Sequence, residues 1–164
     1  MREIADDLRR AVAEALPVLR ALDEAASSRA PAPGKWCPKE LVGHLVDSAS
    51  NNHQRFVRAR FQDDLVFVGY EQDDWIAAQD YRAASWRDLV ELWRTFNLHL
   101  AHVFERIPPA IAQRAHTRHN LDQIAWRTVP AGQATTLAYF ARDYVGHLRH
   151  HLASLDASAP PEID

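Results

Sequence analysis

The sequence predicts an all-α fold, a four-helix bundle, on three observations. Only five glycines occur among its 164 residues. Long stretches repeat their apolar residues with the period of a helix, ~3.6 residues. Clear breakers separate these stretches, at Ala30-Pro31-Ala32-Pro33-Gly34-Lys35 and at Pro108-Pro109.

Each helix has its own justification. The first is predicted from about Glu3 to about Ala26, on the stripe Ile4, Leu8, Ala11, Val12, Ala15, Leu19 and Leu22. Pro17 lies inside it and should kink it, because proline removes a backbone donor and crowds the preceding turn. The second starts at Pro38, a favoured first-turn residue, and runs to about Phe61. Before it, Cys37 stands at the cap with Glu40 closing a capping box; a thiol accepts poorly, so this cap should be weak. The third runs from about Ser85 to Arg106, with Leu89, Trp93, Phe96, Leu100 and Phe104 inward, and Pro108 stops it. The fourth runs from about Ala134 to Leu155, and the tail Ala159-Pro160-Pro161 reads as loose. Helices two and three are separated by roughly 23 residues, and three and four by more. Connections this long often carry function and permit a crossover.

Composition bounds the function. The length suits one domain, 1–164, with a single core. Hydrophobic residues make up 47%, charged residues 25%, and the net charge is -3. Arginines are dispersed among acids, which argues against a nucleic-acid partner. No apolar run reaches the ~18 residues of a membrane span. The acidic N-terminus does not read as a signal peptide, so a cytoplasmic location is expected. The lone Cys37 excludes an internal disulfide and a cysteine zinc ribbon, and reads as structural rather than nucleophilic.

Nine histidines is a high count, and their helical phase separates them. A helix turns about 100° per residue. With Leu148 at zero in the last helix, Leu137, Ala141, Tyr144, Leu152 and Leu155 cluster near it. His151 falls at about −60° and His147 at about −100°, one turn apart on the edge of the buried face. His150 lands near the opposite pole beside Asp143, as a solvated residue. In the second helix, with Leu45 at zero, Leu41, Ala49, Asn52 and Phe56 form the apolar cluster. His44, Ser48, Asn51 and Arg55 form a polar stripe beside it, at about −100°, −60°, −120° and −80°. A polar stripe against a core face is costly unless it lines something. An internal polar cavity with a metal or ligand is the natural reading. Two imidazoles at i and i+4 can point at one ion. His44 from the facing helix completes a three-histidine site that leaves a position for water or substrate. Neutral imidazole suits zinc, nickel, copper or iron. His53, His99, His102, His116 and His119 read as ordinary polar residues, the last two in a long loop where either could face a cavity.

Trp36-Cys37-Pro38-Lys39-Glu40-Leu41-Val42-Gly43-His44-Leu45-Val46-Asp47-Ser48, with Asn51 to Phe56, resembles the second-helix signature of the DinB-like/YfiT-like family. Gly69-Tyr70-Glu71-Gln72-Asp73-Asp74-Trp75 resembles that family's following loop. Tyr144-Val145-Gly146-His147-Leu148-Arg149-His150-His151-Leu152 resembles its last-helix HxxxH motif. The three come in the family's order and cover most of the chain. Cys37 departs from the pattern, which often has Ser or Thr there. The resemblance implies a bundle with up-down-down-up topology and a long crossover between helices two and three. It also implies a divalent metal on His44, His147 and His151, zinc or nickel being favoured, and a homodimer. Members are described as metal-dependent hydrolases, and related ones as low-molecular-weight-thiol transferases.

The expected function is therefore a metal-dependent enzyme acting on a small molecule, a hydrolase activating water. Thiol S-transfer and a non-catalytic metal- or ligand-binding bundle are the alternatives. Asp47, one turn from His44, is the candidate to orient it, a solvated helix acid being its other role. Ser48 lies on the polar stripe, Asn51 and Arg55 could bind a substrate carboxylate or amide, and Tyr70 and Trp75 could close over the site, packing against the bundle end being the favoured role of Trp75. Asp47 or His119 as a fourth ligand would favour the non-catalytic reading.

Overall fold

The four periodic segments become the long members of a helical series in a computed structural model, which describes residues 1–156. In chain order the helices are α1 (Arg2–Ala21), α2 (Glu24–Ser27), α3 (Pro38–Arg58), α4 (Gln72–Gln79), α5 (Trp86–Glu105), α6 (Pro109–Ala112), α7 (Leu121–Ile124) and α8 (Leu137–Asp156). A 3-10 turn, Tyr81–Ala83, precedes α5. The tail expected to be loose lies outside the described residues.

Boundaries shift where local capping intervenes. The first helix stops at Ala21 instead of reaching Ala26, although it continues through Pro17. Leu22 is extended, and the Asp23 carboxylate caps α2 by accepting from the Ala26 N–H at 2.7 Å. Helix α3 ends at Arg58, short of Phe61. Thr136 sets the start of α8, its hydroxyl accepting from the Tyr139 N–H at 3.1 Å, three residues later than the expected Ala134. At the head of α3, Glu40 accepts from the Cys37 N–H at 2.8 Å, completing the capping box around the buried thiol.

Side-chain pairs fix the directions. Arg9 reaches Glu105 and Arg20 reaches Glu91, each across α1 and α5, so these two run antiparallel. His53 meets His99 and Phe56 meets Phe104, so α3 and α5 run parallel. His44 faces His147 while Phe56 faces Phe140, so α3 and α8 are antiparallel. The order is therefore up-down-down-up. Between the long helices sits the core, with Trp93, Phe56, Phe104 and Phe140 almost wholly buried. Each such side chain stabilises the fold by roughly 1.5–3 kcal/mol. Asn97 is buried among them with its amide satisfied: it donates to the Trp93 carbonyl at 2.8 Å and accepts from the Tyr144 hydroxyl at 2.6 Å.

Parallel α3 and α5 oblige the connection 59–85 to travel back the length of α3. It does so along the flank of α3 and α8, held by the second long loop. Asn120 clasps it: its side chain accepts from the Phe67 N–H at 3.0 Å and donates to the Phe67 carbonyl at 2.8 Å. Helix α4 then lies on the first half of α3, with Gln79 and the Tyr81 hydroxyl both donating to Asp47 Oδ1, at 2.8 and 2.7 Å. Gly43 makes this contact possible, since a β-carbon there would lie 2.2 Å from the Tyr81 ring. Among the described residues no helix is long and apolar enough to cross a membrane.

Candidate metal centre

His44 comes from the second turn of α3, and His147 and His151 from facing turns of α8, where the antiparallel crossing brings them together. The His147 and His151 Nε2 atoms are 3.0 Å apart, and the His44 and His147 Nε2 atoms 3.3 Å apart. One ligand atom from each of the three lies within 4.8 Å of the other two, an arrangement that could hold a metal ion. Three nitrogens about 2.0–2.1 Å from one ion, at tetrahedral angles, would stand about 3.3 Å apart.

Hydrogen bonding alone does not account for the cluster. A neutral imidazole nitrogen donates one hydrogen bond or accepts one, yet His147 Nε2 faces two other ring nitrogens. His44 is 2% exposed, and its Nδ1 is buried with no partner. Burial pushes the His44 imidazole down to about 4, with the nearby His151 adding to it. Burial likewise takes His147 down to about 3, helped by His151, His44 and His150, and lowers His151. All three are therefore neutral near pH 7, the protonation state that ligates metals. Two tryptophans flank them. The Trp36 ring lies 5.1 Å from that of His44, and the Trp126 ring 6.5 Å from that of His147.

A cleft of about 730 Å³ opens beside His44 and His147 and runs down α3 past Ser48 and Asn52 to Arg55. Its other wall is α8, with Phe140, Asp143 and Tyr144, and the rim carries Tyr70 to Asp74. Burial and then the Asp47 charge push the Tyr70 hydroxyl up to about 12, so it is neutral.

The candidate residues divide accordingly. His44, Ser48, Arg55, Tyr70 and His147 line the cleft. Asn51 does not: its amide donates to the Asp47 carbonyl at 2.9 Å, and Asn52, which the helical phase put in the apolar cluster, faces the cleft instead. Asp47 is engaged by Gln79 and Tyr81 rather than by His44, and its Oδ2 is buried without a partner. Trp75 packs against Tyr70, ring centres 4.9 Å apart, and stays exposed. His150 is exposed, its ring 5.3 Å from Trp126. His116 and His119 are buried in loop structure, His116 Nδ1 meeting the Asp63 carbonyl and His119 Nε2 the Gln133 carbonyl. Cys37 is buried at its cap, its thiol pushed up by burial, and does not line the cleft.

Two site residues escaped the sequence. Asp143, placed on the solvated side by helical phase, is buried because the segment after α7 folds over it. Its carboxylate accepts from the Trp126 N–H at 2.9 Å and the Arg127 N–H at 2.8 Å. Trp126 is thereby held on the cleft wall, where its ring passes 3.0 Å from the position of a Gly146 β-carbon. The Gly146-His147 pair was a signal that something large packs there; nothing local said which residue.

No curated protein matches the sequence. The structure is similar to YfiT from Bacillus subtilis, with a TM-score of 0.77 and 17% identity, covering 95% of this chain and 83% of that one. That protein is described as a probable metal-dependent hydrolase with an unusual four-helix bundle topology. The family model of the DinB superfamily matches residues 7–155, a span that holds every long helix core and all three clustered histidines. The chain belongs to the DinB superfamily.

Proposed function

We propose that the chain is a metal-dependent enzyme, a hydrolase that directs water at a small-molecule substrate in the cleft. The observation that carries this reading is the convergence of three neutral imidazole nitrogens beside an open, polar cleft. Among the described residues no fourth His, Cys, Asp or Glu joins them. Zinc or nickel suits such a donor set. A divalent ion held there would supply Lewis acidity to water or a thiol reaching its open side.

The chain's own residues set the stage for that chemistry. His44, His147 and His151 present their Nε2 atoms to one point. The Trp36 ring packs beside those of His44 and His151, with ring centres 5.1 and 6.4 Å away. Ser48 and Asn52 offer hydrogen bonds along the cleft floor, and neutral Tyr70 stands over it. The second reading, S-transfer from a small thiol, is supported by the cleft's volume, which has room for a polar thiol as well as an electrophile.

The test begins with metal content by elemental mass spectrometry on protein purified without a tag or chelator. About one tightly held ion per chain is expected. Incubation of the loaded protein with ester, amide and electrophilic substrates, with and without thiols, then separates the readings. Loss of electrophile only in the presence of thiol would exclude the hydrolase.

A further inference from the structure

We infer that the cleft ends in an anion subsite built on Arg55, which takes the carboxylate of a small monoanionic substrate. This rests on the proposed enzymatic reading only in supposing that the same molecule presents its reacting group to the histidines. Arg55 is 5% exposed. Its Nη2 donates to the Val68 carbonyl at 2.8 Å, while Nε is buried with no partner. No described carboxylate pairs with it, although Arg9, Arg20, Arg82 and Arg149 nearer the surface all have acids. Neutral Tyr70 supplies no countercharge. An unpaired buried charge is strongly unfavourable, and a guanidinium fork is shaped for a carboxylate.

Neighbouring groups narrow the ligand. Asn52 Oδ1 is buried and also lacks a partner, so it asks for an N–H or O–H donor beside the anion. Glu71, Asp73 and Asp74 lie on the rim, where they repel polyanions; one inner cation behind an acidic mouth selects a single negative charge. His44 and Arg55 are three turns apart on α3, about 16 Å along the axis, and helical side chains lean toward the N-terminus. The substrate therefore presents its carboxylate and its reacting group at separate ends.

N-acetylglycine carries a carboxylate next to an amide N–H, and N-acetylglycinamide is its uncharged control. Calorimetric titration is made on metal-free full-length protein and on His151→Ala, which removes direct binding to an ion. N-acetylglycine is expected to bind both, and N-acetylglycinamide neither. Arg55→Gln should weaken binding at least about tenfold, the factor carried by 1.4 kcal/mol. Arg55→Lys, which keeps the charge without the fork, should fall between; it serves as the deciding variant where circular dichroism shows Arg55→Gln unfolded. Absence of binding to the folded parent, or unchanged binding by the folded Arg55 variant, overturns the subsite. Zinc stoichiometry measured in parallel reports on the metal reading separately, since either result can stand without the other.

Discussion

At the residue scale, His147 Nε2 has more neighbours than hydrogen bonding can satisfy, and removing either neighbour should be visible. His44→Ala and His151→Ala are expected to abolish metal retention, read as ions per chain, while His150→Ala retains it. Equal loss in all three would mean that His150 shares in binding. The metal-free protein should also respond to acid. The folded values of His44 and His147 lie below the ordinary value of 6.5, so the unfolded chain binds protons first. Stability present above about pH 6.5 is therefore lost progressively as pH falls toward 4 and 3. At pH 5 each such histidine costs about 2 kcal/mol relative to pH 7. Buried Asp47 and Asp143 are shifted up and act in the opposite sense. Their effect begins where unfolded aspartates titrate, at about 3.9, and extends up to their raised folded values, offsetting part of the histidine loss. Urea denaturation from pH 7.5 to 5 checks this, and a flat profile would contradict it.

The element scale separates what the sequence made legible from what it did not. Long amphipathic helices were readable to within a few residues because burial imposes their period, and the three histidines followed from helical phase plus one facing helix. Among cleft residues outside the long helices, Tyr70 followed from the loop motif while Trp126 did not, and two helix residues were misplaced. Asp143 looked solvated until the 125–127 segment supplied its two N–H donors, and Asn52 looked apolar because the cleft opens closer to the core than the polar stripe implied. Both depend on where a long connection lies, which no local period encodes. The α3–α4 contact gives a test. Gly43→Ala should gain up to about 1 kcal/mol in helix propensity. It also drives a methyl into the Tyr81 ring, and overpacking of this kind costs typically 1–3 kcal/mol. Net destabilisation is expected, seen as a lower urea midpoint; a raised midpoint would mean that Tyr81 and α4 shift freely.

For the whole molecule, the decisive feature is that the candidate site spans α3 and α8, while the long connections lie against the same cleft. A ligand held by both helices ties the second segment of the bundle to the last. An ion at 100 times its dissociation constant stabilises the folded state by about 2.7 kcal/mol. For a chain of this size that raises Tm by roughly 5–11 °C. Differential scanning calorimetry with zinc should show this in the parent and in His150→Ala, and not in His151→Ala.

The two indoles beside the histidines carry one more consequence. Of the five tryptophans, Trp36 and Trp126 have rings within 6.5 Å of clustered imidazoles, while Trp86 and Trp93 are buried in the helical core. The chain thus contains its own optical reporter. Paramagnetic nickel or cobalt entering the cluster should quench part of the emission and spare the core indoles. Trp36→Phe and Trp126→Phe would each remove a share of that quenching, giving an affinity measurement that needs no substrate.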